Sequence, residues 1–220
     1  MQIHSLLRTR GQLWLVALVL LIVATTSPAR TRLLSRWQAG PALTKSVAYR
    51  INPAQSGGNA AGLALPLPLA WQVELGYPVS YPIIADGRVV VSYEMPVDGG
   101  YGTHVIAFDS ASGAVAWGPK PIPGPYGTNG LCYDQGRVYS LNFAGDLYCF
   151  DIHTGAEVWH IHLGDEYFVL SPPTARDGVV YVNGQSTWGV DAATGSIRWS
   201  VPTSFVSWCP PAVDATGVYV

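Results

Sequence analysis

The sequence predicts an all-β protein of four-stranded antiparallel sheets arranged as propeller blades, preceded by an amino-terminal hydrophobic helix. Three observations carry this expectation. One string recurs three times, as AFDSASGAVAW (107–117), CFDIHTGAEVW (149–159) and GVDAATGSIRW (189–199). Its copies lie 42 and 40 residues apart, a period that fits four strands per blade better than the shorter leucine-rich or ankyrin units. Upstream of each copy comes a strand, a glycine turn and a second strand: PIIADGRVVVSYE (82–94), LCYDQGRVYSLNF (131–143) and PTARDGVVYVNG (173–184). The composition agrees: 24 Gly, 17 Pro, 12 Tyr and 8 Trp in 220 residues, with 12% charged, favour short strands and tight turns over helices.

Along the chain, residues 1–36 read as a signal peptide or signal anchor. Arg8 and Arg10 precede an apolar run from Leu13 to Ala24, and small residues follow. Twelve strongly apolar residues suit a signal-peptide core, whereas residues 11–29 are uncharged for long enough to span a bilayer. The body is therefore expected outside the cytoplasm, anchored by residues of about 11–29 or secreted after cleavage. No cysteine precedes Cys132, so none is available there for acylation. Residues 37–68 form a linker and lead-in. Residues 69–220 form a partial propeller: an isolated strand around Trp71, then blades at about 77–119, 126–162 and 167–201. A fourth blade starts at 205–220 with PAVDATGVYV. Three blades and the beginning of a fourth predict the amino-terminal part of a longer protein, because complete propellers have four to eight.

Each recurring residue has a structural task. The carboxylates of Asp109, Asp151 and Asp191 can accept amide hydrogens two or three residues on and close a turn. Gly113, Gly155 and Gly195 can take the positive φ that a bulged hairpin needs. Trp117, Trp159 and Trp199 then fall on the outer strand, where an indole fills the wedge between radial sheets. Burying such a ring removes ~150–250 Å² from water. On this basis Trp159→Ala is expected to cost ~3–5 kcal/mol.

Charge divides the chain: residues 1–50 carry +7, residues 51–220 carry −9. An acidic body repels phosphate backbones, which excludes nucleic acid as a partner. Three cysteines cannot all pair. Cys132 and Cys149 fall on the first and third strands of one blade, ~9–10 Å apart at the usual strand spacing, beyond disulfide reach. All three cysteines are expected as buried apolar residues. His160 and His162 alternate on one strand, with Asp165 and Glu166 nearby. That spacing suits a metal, yet it is equally ordinary for an exposed outer strand, so no metal site is predicted. No nucleophile-elbow, paired-carboxylate or phosphate-loop pattern occurs.

The pattern small-x-Asp-x-x-x-Gly-x-x-x-Trp resembles the tryptophan-docking motif of pyrroloquinoline-quinone-type (PQQ-like) β-propeller repeats. The resemblance covers about residues 47–220, and the lead-in VAYRINPAQSGGN with LAWQVELG shares it. It implies seven or eight blades, each Trp packed on the neighbouring blade. In such a propeller the connections between blades gather around the axis on one face. Here they supply Tyr77, Tyr81, Tyr126, Asn129, Tyr167, Phe168, Phe205 and Trp208, a rim suited to a protein, peptide or carbohydrate ligand; the same rings can also simply pack the blade tops. About seven extra residues around PVDGGYG (96–102) lie on that face. The resemblance leaves three functions: a non-catalytic envelope scaffold, which is favoured, a PQQ- and calcium-dependent alcohol or sugar dehydrogenase, and a receptor's sensory ectodomain. The dehydrogenases of the family commonly carry adjacent cysteines and carboxylate and Asn calcium ligands. This chain has no Cys-Cys pair, and no residue is assigned to PQQ or calcium.

Overall fold

The computed structural model describes residues 32–33, 45–58, 68–97, 99–100, 102–124, 130–164, 171–203 and 209–220, all within the unit Thr31–Val220. The expected amino-terminal helix and the anchor at 11–29 lie outside them. The described residues are all strand, turn and loop, with no helix among them.

The chain begins with β1 (Arg32–Leu33), which pairs antiparallel with β2 (Trp71–Gln72). Three complete sheets follow. The first runs β3 (Ile83–Ala85), β4 (Arg88–Glu94), β5 (Gly102–Asp109) and β6 (Val115–Pro123). The second runs β7 (Leu131–Asp134), β8 (Arg137–Leu141), β9 (Asp146–Asp151) and β10 (Glu157–His162). The third runs β11 (Thr174–Arg176), β12 (Val179–Asn183), β13 (Ser186–Asp191) and β14 (Ile197–Pro202). Each is antiparallel and pairs its strands in chain order. β15 (Ala212–Val213) and β16 (Val218–Tyr219) form a further hairpin. The described strands leave the ring of sheets open.

The local sequence accounts for these hairpins. Asp86-Gly87, Gln135-Gly136 and Asp177-Gly178 all have positive φ at both positions. That is the mirror-image turn whose twist matches the flanking strands. β-Branched and aromatic residues fill the strands on either side.

The core lies between successive sheets. Ile83, Val90, Val105, Trp117 and Ile122 of the first sheet pack with Leu131, Val138, Phe150 and Ile152 of the second region. Leu141, Leu147 and Cys149 pack in turn with Val180, Val182 and Val190 of the third. On its other side the first sheet buries Ile106 and Phe108 against Trp71, Val73 and Leu75.

Residues 45–58 run across the inner strands as a strap. The amide of Ser46 donates to Ile84 O at 2.7 Å, and Ile84 N returns the bond at 2.8 Å. Tyr133 N donates to Val47 O and Val213 N to Pro53 O, each at 2.8 Å. Gln55 Nε2 adds bonds to the carbonyls of Pro210 and Pro211 at 2.7 and 2.9 Å. Lys45 reaches Asp86 at 3.4 Å. Asp86 also accepts the Tyr133 hydroxyl, and burial with that carboxylate beside it pushes Tyr133 up to about 12. One lead-in segment thus joins strands β3, β7 and β15.

Candidate functional site

The three recurring turns share one geometry. Asp151 Oδ1 accepts the amides of His153 and Thr154 at 3.0 and 2.8 Å and the Thr154 hydroxyl at 2.8 Å. Asp109 does the same with Ala111 and Ser112, and Asp191 with Ala193 and Thr194. Gly113, Gly155 and Gly195 sit at φ +71°, +67° and +76°. The hydroxyl three residues after each aspartate was not singled out from the sequence, although Ser112, Thr154 and Thr194 occupy that place in all three copies.

These bonds favour the ionised carboxylate. The Ser112 hydroxyl holds Asp109 below its ordinary range, the Thr154 amide does so for Asp151, and Arg198 does so for Asp191. A folded-state value below the unfolded one gives stability that is present above the unfolded value and lost as pH falls. The urea midpoint is expected to hold steady around neutrality and to drop below about pH 4. Asp151→Asn should weaken that acid dependence, measured by fluorescence-monitored unfolding across pH.

The indoles meet these turns from the preceding sheet. Trp117 is 7% exposed, and its Nε1 donates to Ile152 O at 2.7 Å. Its ring lies against Gly155, where an added Cβ would come within 2.5 Å of Cδ2. Trp159 donates to Ala192 O at 3.2 Å and covers Gly195. Trp71, outside the recurring string, donates to Ser110 O at 3.0 Å and covers Gly113. Trp199 differs. It is 38% exposed, lies across Gly189 of its own sheet, and has no Nε1 acceptor among the described residues.

Of the rim residues, Tyr77 and Tyr81 fall within the described chain, and both are exposed. Tyr126, Asn129, Tyr167, Phe168, Phe205 and Trp208 lie outside it. Tyr81 meets Tyr49 of the strap edge-on at 5.6 Å. Tyr77 leans on Tyr93 at 6.1 Å, and Tyr93 stacks on His104 at 5.5 Å. His104 is buried, its Nδ1 has no partner among the described residues, and burial lowers its pKa. Tyr49, Tyr93 and His104 were not among the sequence candidates. Between β4 and β5, Val97 and Gly100 exchange paired backbone bonds at 3.0 and 2.9 Å.

Cys132 and Cys149 lie buried on β7 and β9, with β8 between them. Burial raises both thiols, Cys132 strongly and Cys149 to about 12. Cys209, expected inside, is exposed, because it precedes β15 in a loop rather than lying within a sheet. A thiol reagent such as DTNB should therefore label Cys209 in the native protein, and Cys132 and Cys149 only after denaturation. Equal native labelling of all three would contradict this burial. On β10, His160 bonds Glu157 and His162 bonds Asp146. Among the described residues no three His, Cys, Asp or Glu side chains converge. The residues described thus offer no carboxylate set that fits calcium.

A family model described as PQQ_2, outer membrane protein assembly factor BamB, matches residues 102–216, just over half of the chain. Protein Rv3035 of Mycobacterium tuberculosis (strain ATCC 25618 / H37Rv) is 42% identical over 55 residues, covering 24% of this chain and 13% of that protein. Among solved structures, a europium-containing methanol dehydrogenase matches with TM-score 0.59 and 20% identity over 74% of this chain. The match covers 32% of that dehydrogenase, so the chain spans about a third of its length. At that identity the likeness is one of fold, to a propeller-type neighbour. BamB from Moraxella catarrhalis matches at TM-score 0.37 and 19% identity, over 59% of this chain and 48% of that one.

Proposed function

The chain belongs to the PQQ_2 family, described as outer membrane protein assembly factor BamB, and from that premise we propose that it is an extracytoplasmic, non-catalytic propeller. It offers its rim as a binding surface to a protein, peptide or carbohydrate of the cell envelope. The observation that carries this reading is the use to which the recurring polar residues are put. Each aspartate is taken up by its own turn, and three indole N–H groups by neighbouring carbonyls. Among the described rim residues, Tyr77 and Tyr81 face solvent. Ringed surfaces of this kind bind through area and stacking, with few polar contacts to set orientation. Residues 1–36 would serve as signal or anchor, which sequencing the mature amino terminus resolves.

The likeness to a methanol dehydrogenase extends to fold alone, and fold licenses no chemistry by itself. The test sets the two uses against each other. The full protein is mixed with PQQ and Ca²⁺ and assayed for dye-linked oxidation of alcohols and sugars. In parallel, a photo-cross-linker at position 81 is activated in intact envelopes. Cross-linked adducts that disappear with Tyr77→Ala, and no oxidation, are the expected outcome. Turnover dependent on PQQ would replace the scaffold reading with the dehydrogenase one.

A further inference from the structure

His160 and His162 stand on β10, one residue apart, and both side chains are 58% exposed. Between them Ile161, and before them Trp159, turn inward to the core shared with the third sheet. The two imidazoles therefore share the opposite face, and their Cα atoms lie ~6.6 Å apart at the usual strand rise. Alternation alone says no more than that.

The carboxylates beside the two rings say more. His160 Nδ1 lies 2.7 Å from Glu157 Oε1, and His162 Nδ1 lies 2.7 Å from Asp146 Oδ1. An ionised carboxylate can only accept, so in each ring Nδ1 carries the hydrogen, and in the neutral imidazole Nε2 keeps its lone pair. Neither Nε2 has a partner among the described residues. The His160 ring is also held flat on Tyr148, centroids 5.1 Å apart. Asp146 is fixed in turn by Asn142 Nδ2 at 2.8 Å. A carboxylate on one ring nitrogen, fixing tautomer and orientation while the other stays open, is the arrangement found behind metal-ligating histidines.

We propose that His160 and His162 bind a borderline transition-metal ion, Cu²⁺ foremost, through their Nε2 atoms, with solvent completing the coordination. Asp165 and Glu166 lie outside the described residues; among the described ones the two imidazoles have no thiolate or third protein ligand beside them, and such a pair suits neither a closed structural zinc site nor an oxygen-seeking ion such as Ca²⁺ or Mg²⁺. For nitrogen ligands Cu²⁺ stands at the top of the divalent affinity order. Glu157 and Asp146 are positioning residues, acting on the metal through the rings they hold.

The test uses the whole chain with CuCl₂, and MgCl₂ as the control, followed by electron paramagnetic resonance and Trp fluorescence. One Cu²⁺ per chain with a two-imidazole nitrogen signature is expected, and Mg²⁺ leaves the fluorescence unchanged. His160→Gln and His162→Gln each remove that signature, with far-UV and near-UV circular dichroism unchanged. Glu157→Gln weakens Cu²⁺ binding ~10-fold or more while keeping both nitrogens. A signature that survives in both histidine variants, or no stoichiometric Cu²⁺ uptake by the unmodified chain, overturns the proposal. If Glu157→Gln leaves affinity unchanged, the positioning role is wrong and the site is an unsupported pair.

Discussion

Trp117→Ala is expected to lower unfolding stability by ~3–5 kcal/mol, the range for truncating a large buried aromatic. The ring is 7% exposed and lies between β6 and the turn at 151–155. Its removal leaves a void beside Phe150 and the turn of Ile152 and Gly155, which cannot easily fill it because each is held on a strand or turn of its own. It also leaves Ile152 O without its indole donor at 2.7 Å, and an orphaned buried carbonyl costs ~1–3 kcal/mol by itself. Trp117→Phe separates the two contributions, since it keeps most of the volume and loses only the donor. Denaturant midpoints at constant m-value measure both. The corresponding change at Trp159, which the sequence alone places at ~3–5 kcal/mol, should fall at or below the lower end of that range and cost less than at Trp117. That ring is partly exposed, and Ala192 O already accepts Arg137 Nη1 at 2.7 Å and the Tyr139 hydroxyl at 3.2 Å. Trp199→Ala should cost least in this 220-residue chain, as suits a ring that is 38% exposed. Equal losses at all three positions would mean that inter-sheet burial is not what ranks them.

Gly155→Ala is the second large effect, ~2–5 kcal/mol in the destabilising direction. Two independent penalties add. At φ +67° an L-residue other than glycine costs ~1–2 kcal/mol. The new methyl would then meet Trp117 Cδ2 at 2.5 Å and Cε3 at 2.6 Å, and overpacking of this kind costs ~1–3 kcal/mol. The indole cannot retreat, because its Nε1 is tied to Ile152 O on the same turn. Gly189 supplies the contrast. A Cβ there would come even closer to an indole, 2.3 Å from Trp199 Cε2, yet its φ is ordinary and Trp199 has solvent to move into. The equivalent positions in the other copies are Ala107 and Cys149. Gly189→Ala should therefore be close to neutral, and thermal unfolding of the two alanine variants side by side distinguishes strain with a clash from a clash alone.

The spacing of Asp, Gly and Trp made the sheets legible, since a constant interval survives whatever the intervening residues are. The acceptors of the indoles were not legible. Ser110, Ile152 and Ala192 contribute carbonyl oxygens, and any side chain supplies one. Trp71 was readable as an isolated strand but not as a ring placed like Trp117, because no Asp-turn precedes it in its own segment. On the rim, Tyr77 and Tyr81 stood out because they sit in turns between sheets. Their companions Tyr49, Tyr93 and His104 did not, because they come from the strap and from strands whose register no local pattern reports. The anchoring of His162 was hidden for the same reason: Asp146 faces it only through the pairing of β9 with β10.

The strap has a consequence for how the molecule is made on the ribosome. Its residues emerge early, but Val213, which bonds Pro53 O, is translated ~160 residues later. At ordinary elongation rates of 5–20 residues per second, that interval lasts on the order of ten seconds. Over that time the segment from Ser46 to Val47 can be secured to β3 and then β7, while its distal half waits for the chain to supply a partner. Contacts so distant in sequence close late and slowly. Nascent chains arrested before position 213 should accordingly be cut by protease near Pro53, and the released, folded chain should resist.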